Sequence, residues 1–247
     1  MIWLAGLGAA FCVALAGCGA YLMLARRVEL FDVPNERSAH QTPTPKGGGI
    51  GIFLGVYAGL ALTLLLGHRW TSPYLELLGI STLLLLVGLL DDRFGLAVRL
   101  RLGFYALGCG AAILMLMGGY PLWLKLPALL YALWLLNLFN FMDGIDGIAA
   151  SEAGFVLGAA GLLALANGAA SAYALFCLLP AVASVAFLYW NRAPARLFMG
   201  DAGSVPLGFL LAALSLHGEA SGALPLACWL ILLAVFITDA SYTLCWR

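Results

Sequence analysis

Long apolar runs fill most of the chain and give way only at short polar clusters. Read with a window of about 20 residues, the length a helix needs to cross the hydrocarbon, the runs fall at 1–25, 48–67, 74–90, 97–118, 121–139, 148–167, 171–190, 203–217 and 222–243. This pattern predicts an all-α, polytopic transmembrane helix bundle of about nine spans, with residues 1–247 forming a single integral membrane domain. Break signals mark several boundaries: Pro43 and Pro45 ahead of Gly47-Gly48-Gly49, Gly118-Gly119 before Pro121, and Pro194 in the loop from Asn191 to Arg196. Gly47, Gly51, Gly55 and Gly59 recur every four residues, and Gly154 with Gly158 repeats the step, so small residues share a face suited to close helix packing.

Composition narrows the class. Hydrophobic residues make up 64% of the chain and charged residues 10%, against roughly 25% charged in soluble domains. A formal charge of zero supplies no clustered cationic excess for a phosphate backbone, so nucleic acid is not an expected partner. The six cysteines are scattered with no C-x-x-C spacing and read as small core hydrophobes. The first apolar stretch has no basic segment ahead of it and is followed by Arg26-Arg27, so it is expected to stay as a span with its N-terminus outside.

Charge then orients the bundle. With Arg26 and Arg27 inside, alternation also places Arg37, Lys46, Arg93, Arg99, Arg101, Arg192, Arg196 and Arg247 inside, ten of the twelve basic residues. Only Arg69 and Lys125 fall outside, with His217. The tryptophans lie largely near span ends, where an aromatic belt is expected.

The same alternation puts four acid-bearing clusters on the cytoplasmic side: residues 32–40, Asp91-Asp92, residues 137–146 and residues 199–204. Carboxylates are costly in lipid, and gathering them at one interface points to a site for a polar or metal-bound substrate. Asp91 and Asp92 end an apolar run and diverge by about 100° if the helix continues through them. One can face a substrate while the other faces a metal or a basic group; the plainer alternative is a polar helix terminus in the headgroup zone. Asn137, Asn140, Asp143 and Asp146 follow at three-residue steps, either along a helix or around a break at Gly144 and Gly147. Such hard oxygen donors suit Mg²⁺ shared with substrate phosphates. Asp201 reads either as a helix N-cap or as part of a helix start holding a metal-bound phosphate. Gly47-Gly48-Gly49 lacks the frame of a Walker A loop.

Four ordered motifs carry a resemblance: D-x-P-N-x-R-x-x-H-x-x-x-T-P-x-G-G-G from Asp32 to Gly49, then Asp91-Asp92, then N-x-x-N-F-M-D-G-I-D-G-I-A from Asn137, and F-M-G-D-A-G-S from Phe198. Together, over about residues 30–245, the chain resembles the polyprenyl-phosphate N-acetylhexosamine-1-phosphate transferases, glycosyltransferase family 4. The form Asn-Phe-Met-Asp-Gly-Ile-Asp-Gly looks closer to the bacterial branch that initiates O-antigen and other surface glycans than to the peptidoglycan branch.

The resemblance implies a multi-pass enzyme of the bacterial inner membrane, working on its cytoplasmic face among membrane lipid. Undecaprenyl phosphate would attack the β-phosphorus of a UDP-N-acetylhexosamine, giving undecaprenyl-diphospho-sugar and UMP with Mg²⁺ or Mn²⁺ as cofactor. It further implies that Asp201 and Asn140 hold the metal, and that Asp91 assists the attacking phosphate while Asp92 organises the metal or a basic group. Asn137, Asp143 and Asp146 would hold the nucleotide-sugar, and Arg37, His40, Thr42 and Thr44 would meet phosphate or sugar. A lipid phosphate with a second pKa of about 6 is already largely ionised at neutral pH, so positioning and charge neutralisation can replace a base; a covalent phospho-aspartate is the other route. A homodimer is consistent with the resemblance. Family members continue past the equivalent of residues 236–244 into a histidine-containing loop and a further helix, which this sequence does not reach. The competing classes are a non-catalytic membrane scaffold and a transporter.

Overall fold

The computed structural model describes residues 1–28, 30–32 and 42–246. Arg37 and His40 lie outside the described residues. The helices are α1 (Ile2–Arg27), α2 (Gly49–Leu65), α3 (Tyr74–Phe94), α4 (Val98–Leu116), α5 (Leu122–Met142), α6 (Ile148–Ala166), α7 (Ser171–Asn191), α8 (Asp201–Ser221), α9 (Leu226–Leu232) and α10 (Ala234–Trp246). Between α1 and α2, two short strands, β1 (Phe31–Asp32) and β2 (Thr44–Pro45), pair antiparallel with Phe31 opposite Pro45 and Asp32 opposite Thr44. The fold is an all-α membrane bundle.

Local chemistry sets the helix ends. Arg26 and Arg27 in the last turn of α1 complement its dipole. Gly95, at φ +65°, ends α3 in a left-handed cap that a side chain would strain. The four-residue glycine step of α2 is a packing surface: a Cβ on Gly51 would lie 2.3 Å from Cys18 Sγ, and one on Gly55 would lie 2.4 Å from the Ala10 carbonyl. Any larger residue at either position would push α2 off α1.

Six helices, α1 and α3 to α7, are long and apolar enough to cross a membrane, or seven if the bent pair α9–α10 is one span. By length and hydropathy alone these helices differ from the nine expected runs in three places. α2, at 17 residues, is apolar and sits at the short limit for a span. α9 and α10, in place of a straight span over 222–243, are bent by 63° after Leu232. α8 falls below the hydropathy of a lipid-facing helix because it does not face lipid: every residue from Ala202 to Leu216 is buried. Packed against α2, α3, α4, α5 and α7, it can carry Ser204 and Ser215, whose hydroxyls donate to the carbonyls of Gly200 and Ala212. Exposed leucines and phenylalanines on α3, α4 and α5, such as Leu83, Leu107 and Phe141, form the outer surface instead.

Two tryptophans depart from the aromatic-belt expectation. Trp70 and Trp229 are buried, and Trp70 Nε1 donates to Thr63 Oγ1 at 3.0 Å. His217, near the end of α8, packs edge-on to Tyr74 at the start of α3, far along both helices from the acid clusters.

Candidate active site

α3 continues as helix through Asp91 and Asp92, and the divergence expected of neighbouring helical residues is what separates their partners. Asp91 turns to α4: Arg101 Nη1 donates to its Oδ2 at 2.5 Å, and the Leu96 N–H donates to its Oδ1 at 2.6 Å. Asp92 turns to α8: its Oδ2 accepts the Ala202 N–H at 3.1 Å, and its Oδ1 lies 3.7 Å from Lys46 Nζ. Arg101 Nη1 also reaches Asp201 Oδ2 at 3.2 Å, so one guanidinium joins the end of α3 to the start of α8.

The backbone is shaped to allow these approaches. Gly88 of α3 meets the start of α8 so closely that a Cβ would fall 2.2 Å from the Asp201 carbonyl oxygen. Gly200 precedes α8 at φ +70°, where a Cβ would stand 2.6 Å from Asp92 Oδ2. Residues 45–49 are stitched to the segment before α8: the Phe198 N–H donates to Pro45, and the Gly48 and Gly49 N–H groups donate to Phe198 and Met199. These bonds bring Lys46 beside Asp92, on the cavity that Asp201 also lines.

α5 holds Asn137 and Asn140 on its last turns and stops at Met142, leaving Asp143 as its C-cap. A tight turn follows, with Gly147 at φ +78° starting α6. Its N–H donates to Asn191 Oδ1 at 3.0 Å, while Asn191 Nδ2 donates to Leu197 at 3.1 Å. Asp146 accepts the Ala195 N–H at 2.8 Å. The turn is thereby fastened to the loop between α7 and α8.

A cavity of about 190 Å³ opens between these pieces. Asp92, Asp143 and Asp201 line it together with Asp32, Asn140, Asn191 and Lys46, with Phe198 and Ile145 as apolar walls. It is smaller than the roughly 300–1,000 Å³ of ordinary ligand pockets, so it accommodates the polar part of a ligand and leaves the rest outside. Burial, and then the charges of Asp201 and Asp92, push the Asp143 carboxyl well above the usual carboxylate range. The cavity holds more negative charge than Lys46 and Arg101 balance.

A second, smaller cavity of about 70 Å³ lies between α4 and α5, lined by Arg101, Tyr105, Asn137 and Asn140. Asn140 faces both.

The sequence-predicted residues separate into groups. Asp92, Asn140, Asp143 and Asp201 line the main cavity. Asp91 does not, and is linked to it through Arg101. Asn137 lines the smaller cavity and donates to the Leu133 carbonyl at 2.7 Å. Asp146 braces the loop before α8, next to the cavity rather than in it. Thr42 is exposed; Thr44 is buried in β2 with its hydroxyl on the Thr42 carbonyl, and neither lines a cavity described above. Lys46, Arg101, Tyr105 and Asn191 join the site without having been singled out by their motifs. Arg101 and Tyr105 carry one faint signal, an i, i+4 pair of polar residues on a helix whose only other charged residue is Arg99.

Whether the donor set suits a divalent cation can be asked of the geometry. Among the described residues no three His, Cys, Asp or Glu side chains converge as a closed metal cage. The open arrangement of Asp201, Asn140 and Asp143 fits instead a hard cation that takes one or two side chains and fills its shell with water and substrate oxygens.

The chain matches the model of "Glycosyl transferase family 4" over residues 74–219, more than half of its length. Among curated relatives it is 29% identical over 214 residues to the "Probable undecaprenyl-phosphate N-acetylglucosaminyl 1-phosphate transferase" of Bacillus subtilis, covering 79% of this chain and 57% of that protein. It is 32% identical over 240 residues to the "Undecaprenyl-phosphate alpha-N-acetylglucosaminyl 1-phosphate transferase" of Yersinia pestis, covering 86% of this chain and 64% of the relative. A "Phospho-N-acetylmuramoyl-pentapeptide-transferase" of Nocardia farcinica is 29% identical over 235 residues, covering 72% and 65%. The chain belongs to glycosyl transferase family 4, a class of membrane-embedded transferases. It spans about three-fifths of the length of the first two relatives.

Proposed function

We propose that this chain transfers N-acetylhexosamine 1-phosphate from a UDP-N-acetylhexosamine to undecaprenyl phosphate, at the cytoplasmic face of the bacterial inner membrane. A phosphate oxygen of the lipid attacks the β-phosphorus, the bond from that phosphorus to the bridging oxygen breaks, and UMP leaves with the bridging oxygen. The observation that carries this reading is the joining of acids from α3, the end of α5 and the start of α8 around one cavity at a single end of an apolar bundle. A water-soluble nucleotide and a lipid can meet only at such an end.

Mg²⁺ or Mn²⁺ would be held by Asp201 and Asn140, and when bound it supplies neutralisation of the diphosphate charge. Asp143 and Asn191 stand where the nucleotide-sugar's polar groups enter the cavity. Lys46 and Arg101 hold Asp92, Asp91 and Asp201 in position and offer the positive field that a phosphoryl transfer requires. Asp91, already accepting from Arg101 and Leu96, acts by fixing Arg101. The NFMDGIDG form of the third motif supports a role in starting a surface glycan such as O-antigen.

The test is a panel of labelled UDP-GlcNAc and UDP-GalNAc supplied to the purified chain in lipid with undecaprenyl phosphate. Label entering the organic phase with one sugar supports the reading and names the donor. Label remaining wholly aqueous with every donor contradicts it.

A further inference from the structure

The hydroxyl of Tyr105 is a polar group of the site region to which the transfer reading gives no task. Tyr105 is 2% exposed, yet its hydroxyl is buried with no hydrogen-bond partner among the described residues. A buried hydroxyl without a partner carries a desolvation cost of about 1–3 kcal/mol, so its retention calls for an acceptor that arrives from outside. Tyr105 lines the cavity between α4 and α5, whose other polar walls come from Arg101, Asn137 and Asn140.

The chemistry of this small cavity is opposite to that of its neighbour. The main cavity is rich in carboxylates, which suits a cation. Among the described residues the smaller one is lined by no carboxylate, and its guanidinium, amides and phenol each carry N–H or O–H groups able to donate. Arg101 lies at their boundary, bonded to Asp91 and Asp201 on the acidic side. Arg101 and Tyr105 are one helical turn apart on α4, and their side chains face the same way. At about 70 Å³ the space is on the scale of a single tetrahedral anionic group. Around it, Val98 and Leu102 are exposed on the apolar outer surface of α4.

We infer that Tyr105, with Arg101, forms a subsite for the oxygens of a phosphoryl group, the Tyr105 hydroxyl donating a hydrogen bond to the anion. The inference rests on the transfer reading for its choice of phosphate as the anion. Two sources fit that chemistry, the phosphate of the lipid acceptor and the diphosphate of the nucleotide donor, and binding experiments separate them. Tyr105 is a positioning residue for the phosphate rather than a group that exchanges a proton with it.

The experiment measures dissociation constants of the purified full chain in nanodiscs for undecaprenyl phosphate, undecaprenol and UDP-GlcNAc, with wild type and Tyr105→Phe. The expected result is about a tenfold weakening for undecaprenyl phosphate, the size of one hydrogen bond to a charged oxygen, with undecaprenol and UDP-GlcNAc unchanged. Weakening confined to UDP-GlcNAc keeps the phosphoryl subsite and assigns it to the donor. Equal weakening for undecaprenyl phosphate and undecaprenol, or no change for any probe, overturns the inference while leaving the transfer reading intact. A wild-type chain that binds neither phosphate-bearing probe contradicts the transfer reading itself, and the subsite with it. Should Tyr105→Phe fail to fold, Asn137→Ala on the exposed wall of the same cavity is held to the same outcomes.

Discussion

Asp92 at the end of α3 caps a helix that is not its own: its Oδ2 accepts the N–H of Ala202, in the first turn of α8, at 3.1 Å. α8 has no side-chain cap from its own N-cap residue, Gly200. A glycine is needed there because of its backbone angle and the nearness of Asp92, so the capping oxygen comes from another helix. The result fixes where Asp201 stands.

Removing this oxygen should loosen the start of α8. Asp92→Ala is expected to cost about 1–2 kcal/mol, the upper range for loss of an N-cap, read as a lowered midpoint of thermal unfolding in detergent. Asp92→Asn keeps an acceptor oxygen and is expected to retain most of that stability. Equal losses in the two variants would show that the charge beside Lys46, and not the cap, is what matters.

Gly200→Ala places a Cβ 2.6 Å from Asp92 Oδ2 and 3.0 Å from the Gly47 nitrogen, at a φ of +70°. Both backbone strain and collision fall on the site, and the expectation is loss of at least about 100-fold in transfer rate, the scale reported for misplacing catalytic groups. Gly79→Ala, on the exposed face of α3 with nothing within 4 Å, is the control and should be neutral or slightly stabilising. Comparable losses at both positions would contradict the packing argument.

Arg101 holds two carboxylates with one planar group, a task a single ammonium performs poorly. Arg101→Ala is expected to lower kcat by about 100-fold, as loss of a preorganised charge does, and Arg101→Lys to recover only part of it. Full recovery by lysine would mean that charge alone suffices.

Asp143 gives a pH signature whose sign follows from its raised carboxyl. The unfolded chain ionises this group at an ordinary carboxylate pKa of about 4. Stability it contributes is therefore greatest in acid and falls as pH rises toward the raised folded value. In chelator, Asp143→Asn should raise the unfolding midpoint at pH 8 and gain little at pH 4.5. Added Mg²⁺ should shrink the gain at pH 8 by neutralising the cavity. A constant difference across pH would place Asp143 away from the charges that raise it.

Much of the site was legible because its residues are chemically out of place. Acids and amides at the ends of greasy runs announce themselves, and alternation of the runs brought Asp92, Asn140, Asp143 and Asp201 to one side before any contact was visible. What sequence could not supply is aim. Asp91 and Asp92 are neighbours, and only the packing of α3 between α4 and α8 decides that one meets Arg101 and the other Ala202. Asn137 and Asn140 share a helix face, yet Asn140 lines both cavities and Asn137 only the smaller of these two. α8 exposed the limit of hydropathy: a helix enclosed by protein need not be greasy enough for lipid. The bend after Leu232 has no proline or glycine at the break to signal it.

The central claim is that acids brought together from α3, α5 and α8 serve a reaction between a nucleotide-sugar and a lipid phosphate. The most direct measurement is UMP release from UDP-GlcNAc or UDP-GalNAc by the chain in liposomes, with undecaprenyl phosphate and Mg²⁺ each added or withheld, for wild type and Asp201→Asn. The account predicts release only when lipid and cation are both present, and its loss in Asp201→Asn. Release that is equal without the lipid phosphate, or undiminished in the variant, would contradict it.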